Sequence, residues 1–371
     1  EACRLIRDHF YDPQFHGCDW EQVRKTFRPI AEGVQTQADF REILNLMVGE
    51  LNASHLGASG RSGPGPDSFL GADFDREALE TNGHFKITYF TAESSLTLPA
   101  EPARIGEYLV AIDGVALNGR VNLPEQLQRK SGRRVTVKLN DKPELEGARD
   151  LTVQPISEDK HTDLRYRDWV IRNEVYIHEK SNGRLGYVHI RAMSYAAYIQ
   201  FIANLDTETH DREGIIVDVR FNGGGHIAPF ILDVLSRKAY TQSSYRGRMS
   251  TADTNLAGNR ILDRPLVLIT NEHSGSNAEM FSEGFRRLGL GKVVGMPTAG
   301  AVIWTWSWTL LDGTSFRLPR LQVATLEGEN TEGAARPVDV EVDRTLGEAA
   351  QGVDSQLDVA VEQLLAQIDS G

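Results

Sequence analysis

The sequence predicts a multidomain protein of the α+β and α/β classes, with an N-terminal helical segment, a β-rich module and a C-terminal α/β domain whose mixed sheet is flanked by helices. Three changes of pattern support this prediction. The start of the chain has helical periodicity, the middle consists of short strand-like runs and turns, and the remainder alternates strand and helix patterns. We place the domains at 1–66, 67–157 and 158–371.

Apolar residues at helical spacing identify the N-terminal segment. They form a one-face stripe along a helix that ends near residue 51: Phe40, Ile43, Leu44, Met47, Val48 and Leu51. Glycine and proline then interrupt the pattern between 57 and 71, which predicts a linker or loop.

Short runs with strand composition identify the middle module. They lie at 84–89, 107–112, 134–139 and 151–153. The pair Asp113-Gly114 directly after one of these runs is a strong tight-turn signal. The segment therefore reads as a small, separate β module.

Strand and helix patterns alternate in the C-terminal part. The candidate strands are 185–190, 214–221, 265–270, 293–295 and 314–318, and a strand-like run follows at 338–342. The candidate helices are 195–205, 227–236 and 278–288, with an amphipathic helix at the end of the chain. Such alternation predicts a sheet with helices packed against it.

Composition excludes several classes of function. A net charge of −12 over 371 residues disfavours nucleic acid and anionic membranes as main partners. No segment approaches the roughly 18 continuous apolar residues of a membrane span. Cys3 and Cys18 are the only cysteines, too few for a thiolate zinc site, and a disulfide between them cannot be deduced.

Ser276 is the first candidate for a reactive residue. It lies between the predicted strand at 265–270 and the predicted helix at 278–288. The N-terminus of a helix offers unpaired N–H groups and a favourable dipole to an oxyanion, which acyl transfer generates. Small polar residues also cap helices without any catalytic role.

Three glycines follow the predicted strand 214–221. They permit backbone N–H groups to approach a ligand oxygen, so Gly224 or Gly225 could donate to an oxyanion. A phosphate loop is disfavoured because the lysine and hydroxyl residue that should follow are absent. A simple tight turn is the alternative interpretation.

A histidine base and an acidic residue complete the candidate chemistry. His55 follows the striped helix, whereas His226 and His273 lie nearer in sequence to the glycines and the serine. Spacing alone does not choose among them. The polar loop 327–339 could supply a carboxylate to orient a histidine or a hydroxyl, although acidic loops are commonly only solvated.

Taken together, these segments resemble the tricorn proteases, which belong to the serine peptidase family that also contains the carboxy-terminal processing proteases. The resemblance covers nearly the whole chain in the same order, through motifs at 11–20, 50–55, 105–114, 218–225, 274–279 and 288–295. The motif at 105–114 matches the PDZ signature of the family, which implies that 67–157 is a PDZ-like domain.

The resemblance implies a Ser-His-Ser-Glu tetrad and an oxyanion hole. The implied roles are Ser276 as nucleophile, His55 as general base with Ser54 beside it, Glu332 as the acid, and the N–H groups of Asn277 and Gly224 as oxyanion donors. Gly225 is close behind Gly224, and Glu329 is the second choice for the acid. Glu332 is preferred because counting back from 339–343 without gaps reaches it.

The same resemblance separates two branches of the family. The processing branch uses a lysine that would fall near Ala301, where this chain has none, so Lys292 is expected to be structural and the base to be histidine. Gly225, Gly300 and Ala301 are the expected substrate-binding residues. The apolar loop 299–306 is a candidate hydrophobic specificity pocket.

The sequence therefore predicts a serine peptidase that hydrolyses peptides or unfolded protein through an acyl-enzyme. A non-catalytic protein that binds peptides or hydrophobic ligands on the same fold is the first alternative, and an esterase or amidase is the second. No metal or cofactor is implied. A homo-oligomer and a cytoplasmic location are also expected.

Overall fold

The structure is a computed structural model that describes residues 1–60, 67–119, 121–209, 211–244, 246–247, 251–252, 262 and 264–370. The described residues divide into two compact units, one formed by 1–61 with 173–371 and the other by 62–172. The three-domain division made from the sequence stays a prediction, and most of its first boundary region lies outside the described residues.

The helices and strands are numbered here in chain order. The helices are α1 Ala2–His9, α2 Trp20–Gly33, α3 Gln37–Gly49, α4 Arg76–Asn82, α5 Leu123–Leu127, α6 Glu158–Lys180, α7 Tyr195–Thr209, α8 Ala228–Ser236, α9 Asn277–Arg287 and α10 Ser355–Ser370, with 3₁₀ turns at Phe15–Gly17 and Glu348–Gln351. The strands are β1 Gly57–Ser59, β2 Ser68–Phe69, β3 Ala72–Phe74, β4 Phe85–Phe90, β5 Tyr108–Ile112, β6 Val115–Ala116, β7 Val135–Asn140, β8 Arg149–Val153, β9 Ile156–Ser157, β10 Leu185–His189, β11 Gly214–Asp218, β12 Gln242–Ser243, β13 Thr251–Ala252, β14 Leu266–Thr270, β15 Gly291–Gly295, β16 Ile303–Thr309, β17 Ser315–Gln322 and β18 Val340–Glu341.

The unit 62–172 is an antiparallel β module, as its short runs and turns predict. Its main sheet has the order β3-β4-β5-β7-β8, with β6 paired to β5. Alternate strand residues point inward, so β7 buries Val135, Val137 and Leu139 and exposes Thr136. The PDZ-like character of this module stays a prediction.

A parallel sheet forms the centre of the other unit. Its order is β10-β11-β14-β15-β18, and every neighbouring pair is parallel. The strands of such a sheet are buried on both faces, which explains their nearly continuous apolar runs. One face packs against α7, α8 and α9, and α10 contacts β11, β14 and β15.

The predicted fold class is confirmed, with two changes of detail. The central sheet is parallel rather than mixed, because the antiparallel strands β16 and β17 form a separate sheet with β1. The predicted linker 57–71 is not only loop: Gly57–Ser59 and Ser68–Phe69 are strands, since edge pairing supplies hydrogen bonds even to short glycine-containing segments.

The N-terminal helices pack against this second sheet. Leu44, Met47 and Leu51 from the predicted stripe are buried in one cluster with Phe316 and Leu318 of β17. The strand β1 pairs antiparallel with β17 directly after residues 54–55. This pairing fixes the chain around Ser54 and His55 relative to the rest of the unit.

A fully buried ion network lies just past the carboxyl end of β11. The Arg220 guanidinium is completely buried and binds the carboxylates of Asp218, at 2.7 Å, and Asp354, at 2.9 Å. Burial alone would raise the pKa of the Asp218 carboxyl, but the charge of Arg220 and its hydrogen bonds outweigh burial and hold that pKa below its ordinary value.

We expect Arg220→Met to lower the free energy of unfolding by about 3–5 kcal/mol, because two buried carboxylates lose their cation. Urea unfolding monitored by circular dichroism measures this loss. The matched control is Arg237→Met, which removes an i,i+4 ion pair with the largely exposed Asp233 and is expected to cost less than about 1 kcal/mol. Equal losses of stability in the two variants would contradict the stabilising role of the buried Arg220 ion pairs.

The same network gives stability a defined pH dependence. Because the pKa of Asp218 is lower in the folded chain, its stabilisation is complete above the unfolded value of about 3.9 and is lost as pH falls through the folded value.

Candidate active site

Ser276 stands at the turn between β14 and α9, at the carboxyl edge of the parallel sheet. Its φ of 57° and ψ of −120° place it in a conformation that non-glycine residues rarely adopt. Ligands of open α/β sheets bind outside the carboxyl ends of the strands. The strained turn therefore presents a serine hydroxyl where this architecture binds substrates.

The Glu279 side chain accepts the hydrogen bonds that hold this turn. Sequence reasoning missed this role. Its fully buried carboxylate accepts hydrogen bonds from the N–H groups of Ser276 at 2.9 Å, Gly300 at 2.7 Å and Ala301 at 2.8 Å, and from the Thr298 hydroxyl at 2.6 Å. The capping-box spacing of a serine and a glutamate three residues later is the sequence signal that could have found it.

The glycine-rich segment passes directly behind the nucleophile. A Cβ on Gly224 would lie 2.6 Å from the Ser276 Cβ, and a Cβ on Gly225 would collide with the Met193 carbonyl oxygen, so both positions require glycine. However, the N–H of Gly224 already donates to the Asn222 side-chain oxygen at 2.9 Å. This N–H is therefore occupied, while the Gly224 backbone packs against the turn.

Two other N–H groups near Ser276 are available. Within the described part of the chain, the N–H groups of Gly225 and Asn277 have no acceptor, and both residues line the same cleft as Ser276. Asn277 is the first residue of α9, where an N–H has no partner within the helix. The geometry thus favours the N–H of Gly225, rather than the predicted N–H of Gly224, as the second candidate oxyanion donor beside that of Asn277.

Ser54, His55 and Glu332 form a hydrogen-bonded group. The Ser54 hydroxyl lies 2.7 Å from His55 Nδ1 and donates to Glu332 Oε2 at 2.9 Å. The Ser54 N–H also donates to Glu332 Oε1 at 2.6 Å. The two residues are 278 positions apart in sequence, so pairing of β1 with β17 is what brings them together.

The hydrogen-bond pattern fixes the histidine tautomer. A serine hydroxyl has one hydrogen, and here it points to Glu332, so the Ser54 oxygen must accept from Nδ1–H of His55. The other ring nitrogen, Nε2, then carries the lone pair that a general base needs.

Backbone hydrogen bonds link this group to the nucleophile turn. The N–H of Gly333, next to Glu332, donates to the Gly300 carbonyl at 2.8 Å, and the N–H of Gly300 donates to Glu279. Glu279 in turn holds Ser276. His55 and Ser276, both described, share no hydrogen bond in this structure, as is common for catalytic pairs without substrate.

The surroundings of His55 favour the neutral form of its imidazole. Burial lowers its pKa below the ordinary value, the nearby Arg317 lowers it further, and the charge of Glu332 opposes both effects. Tyr11 lies close to the same carboxylate: burial, then the charges of Glu332 and Asp12, raise the pKa of Tyr11 to about 12. Sequence reasoning did not find Tyr11, since only the fold brings it to this acid.

We expect the acid limb of kcat/KM to have a midpoint below about 6.5, the ordinary histidine value. Glu332→Gln should lower this midpoint further, because the carboxylate favours the protonated ring, and Arg317→Gln should raise it. We also expect Glu332→Gln to lower kcat by about 100-fold, short of the roughly 10⁴-fold loss when an acid contacts histidine directly. The pH profile of peptide hydrolysis measures the midpoints, and its plateau gives kcat.

Glu329→Gln is the matched control for that series. Glu329 is exposed, and its backbone N–H and carbonyl hydrogen-bond with Thr325 in a local turn rather than with the Ser54 group. An unchanged profile in Glu332→Gln together with a shifted profile in Glu329→Gln would reverse the assignment of the acid.

The other candidates are not part of the Ser54–His55–Glu332 group. His273 is exposed and stacks on Phe221, and Lys292 donates to Gln363 at 2.7 Å. His226 is exposed as well. In the described residues, Glu174, His178 and Glu208 have ligand atoms within 4.8 Å of one another, the spacing of a metal site, but they belong to α6 and α7 and not to this cleft.

Comparison with known proteins shows which families the chain resembles. Residues 184–342, which include β10 to β18 and the Ser276 turn, match the model of peptidase family S41. Residues 1–49 match the tricorn protease C1 domain. The chain thus resembles the C-terminal region of tricorn proteases and contains a match to peptidase family S41, as the resemblance indicated.

Comparisons with individual relatives agree with the two family matches. The chain is 33% identical to tricorn protease homolog 1 of Streptomyces coelicolor over 100% of its own length and 35% of that protein. It is 29% identical to the tricorn protease of Thermoplasma acidophilum over 99% of its length and 34% of that protein. It matches the crystal structure of the tricorn protease with a TM-score of 0.84 and 27% identity, covering 99% of this chain and 36% of that one.

The chain spans about a third of the length of these relatives. Of the helices in the described part of the chain, none has the combination of length and apolar character that crossing a membrane requires.

Proposed function

We propose that this chain hydrolyses peptide bonds of peptides or unfolded protein through an acyl-enzyme on Ser276, with His55 as general base and Ser54 and Glu332 as its supports. The observation that carries the proposal is the Ser54–His55–Glu332 group, whose hydrogen bonds leave Nε2 of His55 basic. A protein that only binds peptides has no need of a histidine oriented as a base.

These residues act in succession in the proposed reaction. His55 Nε2 removes the Ser276 proton as the hydroxyl oxygen attacks the scissile carbonyl, and the positive charge that develops on the ring is stabilised through Ser54 by Glu332. The ring then delivers the proton to the leaving amine. Water, activated by the same ring, hydrolyses the acyl-enzyme.

The oxyanion is stabilised by N–H groups that are already in place. Gly225 and Asn277 have N–H groups without acceptors among the described residues, and both border the Ser276 cleft. One such donor accounts for about 3 kcal/mol of barrier lowering in other serine proteases. Because the backbone fixes these donors, no reorganisation is needed during the reaction.

The test is hydrolysis of a fluorogenic peptide library by the wild type, His55→Ala and Lys292→Ala. We expect activity in the wild type and the Lys292 variant and a loss of at least about 10³-fold in the His55 variant. Activity that depends on Lys292 and not on His55 would contradict the proposed base. Absence of activity in the folded wild type, with retained peptide binding, would favour the non-catalytic alternative.

A cytoplasmic location and a homo-oligomeric state stay predictions. Size-exclusion chromatography with light scattering tests the second of them directly.

A further inference from the structure

A small cleft opens directly beside the candidate nucleophile. It is bordered by Ser276, Asn277 and Gly225 and has a free volume of about 10 Å³. Its remaining walls are apolar side chains from three elements: Met280 of α9, Val302, Ile303 and Trp304 at the start of β16, and Val323 after β17.

The position of the cleft identifies the part of a substrate that would enter it. In the proposed reaction the scissile carbonyl carbon lies at the Ser276 hydroxyl, and its oxygen points to the N–H groups of Asn277 and Gly225. The side chain of the residue that contributes this carbonyl, P1, is attached to the Cα atom that is bonded to that carbon. A cleft that touches the nucleophile and both donors lies where the P1 side chain begins.

The chemistry of the walls restricts the side chain. The five side chains that form them carry no charge, and Val302 and Ile303 are almost fully buried, at 2% and 4% exposure. The described residues that line the cleft include no carboxylate, so they would not compensate a lysine or arginine placed there for its lost hydration, which is strongly unfavourable. An apolar side chain gains burial instead.

The size of the cleft restricts the side chain further. A free volume of about 10 Å³ is at the lower limit for holding one water molecule, so there is room for about one methyl group. Hydrogen bonds also hold the backbone of the residues that form the walls. Strands β16 and β17 pair from Ile303 to Thr309, and the Thr331 hydroxyl donates to the Val323 carbonyl at 2.8 Å.

We propose that the chain cleaves after small apolar residues, alanine above all, because Met280, Trp304 and Val323 close the P1 pocket to larger and to charged side chains. This inference rests on the proposed peptidase function and specifies its substrate class.

The test measures how fast Ser276 is labelled by peptidyl diphenyl phosphonates that differ only at P1, with alanine, phenylalanine or lysine there. A fluorophosphonate without a peptide reports separately whether Ser276 is reactive. In the wild type we expect the alanine probe to react at least about tenfold faster than the other two, the discrimination typical of a tight hydrophobic pocket. Met280→Ala and Trp304→Ala should each raise the phenylalanine-to-alanine ratio by about tenfold or more.

Trp306→Ala is the matched control, since Trp306 lies on the same strand, is 47% exposed and does not line the cleft. It should leave the ratio unchanged. Fastest reaction of the lysine or phenylalanine probe, equal rates, or no reaction of any peptidyl probe while the fluorophosphonate labels Ser276 would overturn the pocket assignment alone. No labelling by any probe on folded protein would overturn the peptidase proposal and this inference with it. If either Met280→Ala or Trp304→Ala fails to fold, the probe rates of the other variant still test the pocket assignment.

Discussion

Ser276→Ala is expected to lower kcat for peptide hydrolysis by about 10⁶-fold, the loss typical when the nucleophile of a serine protease is removed. Without the hydroxyl no acyl-enzyme forms, and the orienting hydrogen bonds of His55 have no nucleophile to act on. The residual rate would come from the oxyanion donors and substrate binding alone.

The substitution should leave the fold intact, which makes the kinetic loss interpretable. The bonds that hold the turn come from backbone N–H groups to Glu279, and these do not depend on the side chain at 276. Substrate binding, measured by fluorescence anisotropy of a labelled peptide, should therefore be nearly unchanged. A variant that keeps more than about 1% of kcat would show that the reactive residue is another one.

Glu279→Ala is expected to lower both stability and kcat, although this residue does not touch the substrate. Its carboxylate accepts four hydrogen bonds in a fully buried position. Removing it leaves three N–H groups and one hydroxyl without acceptors, each at a cost of about 1–3 kcal/mol before relaxation. We expect a loss of about 3–5 kcal/mol in the free energy of unfolding, the range of the larger single-site effects.

The same substitution should lower kcat by at least about 100-fold, because a nucleophile displaced by about 1 Å loses that much rate. Glu279→Gln tests the charge separately. Its shape is conserved, yet its amide NH₂ would face donors, so both stability and kcat should fall. Thermal unfolding and hydrolysis rates of each variant measure the two effects.

Glu362→Gln is the control, an exposed glutamate on α10 whose charge is removed without disturbing any buried group. A Glu279→Ala variant with normal stability and normal kcat would mean that the turn at Ser276 is held by its flanking elements instead.

Much of the unit that contains the parallel sheet could be predicted because its sequence patterns are local. The strands β10, β11, β14 and β15 are continuous apolar runs, and their helices have clear periodicity, so the sequence predicted each of them within a few residues. The parallel character of the sheet was not predicted, since pairing direction depends on which strands become neighbours.

Details of the site depend on contacts that periodicity does not record. Whether Gly224 or Gly225 offers a free N–H depends on one hydrogen bond from Gly224 to the Asn222 side chain. The choice between Glu332 and Glu329 depends on the hydrogen bonds that the N–H and hydroxyl of Ser54 donate to the Glu332 carboxylate. In each case a three-dimensional contact distinguishes residues that are equivalent by type and spacing.

The most direct test of the central claim is to locate the adduct of a fluorophosphonate probe by peptide mass mapping, in the wild type and in His55→Ala. The account predicts an adduct on Ser276 in the wild type and a rate of labelling at least about 100-fold lower in the variant, because the base that activates the hydroxyl is missing. An adduct on a different serine, or labelling of Ser276 at the same rate without His55, would contradict it.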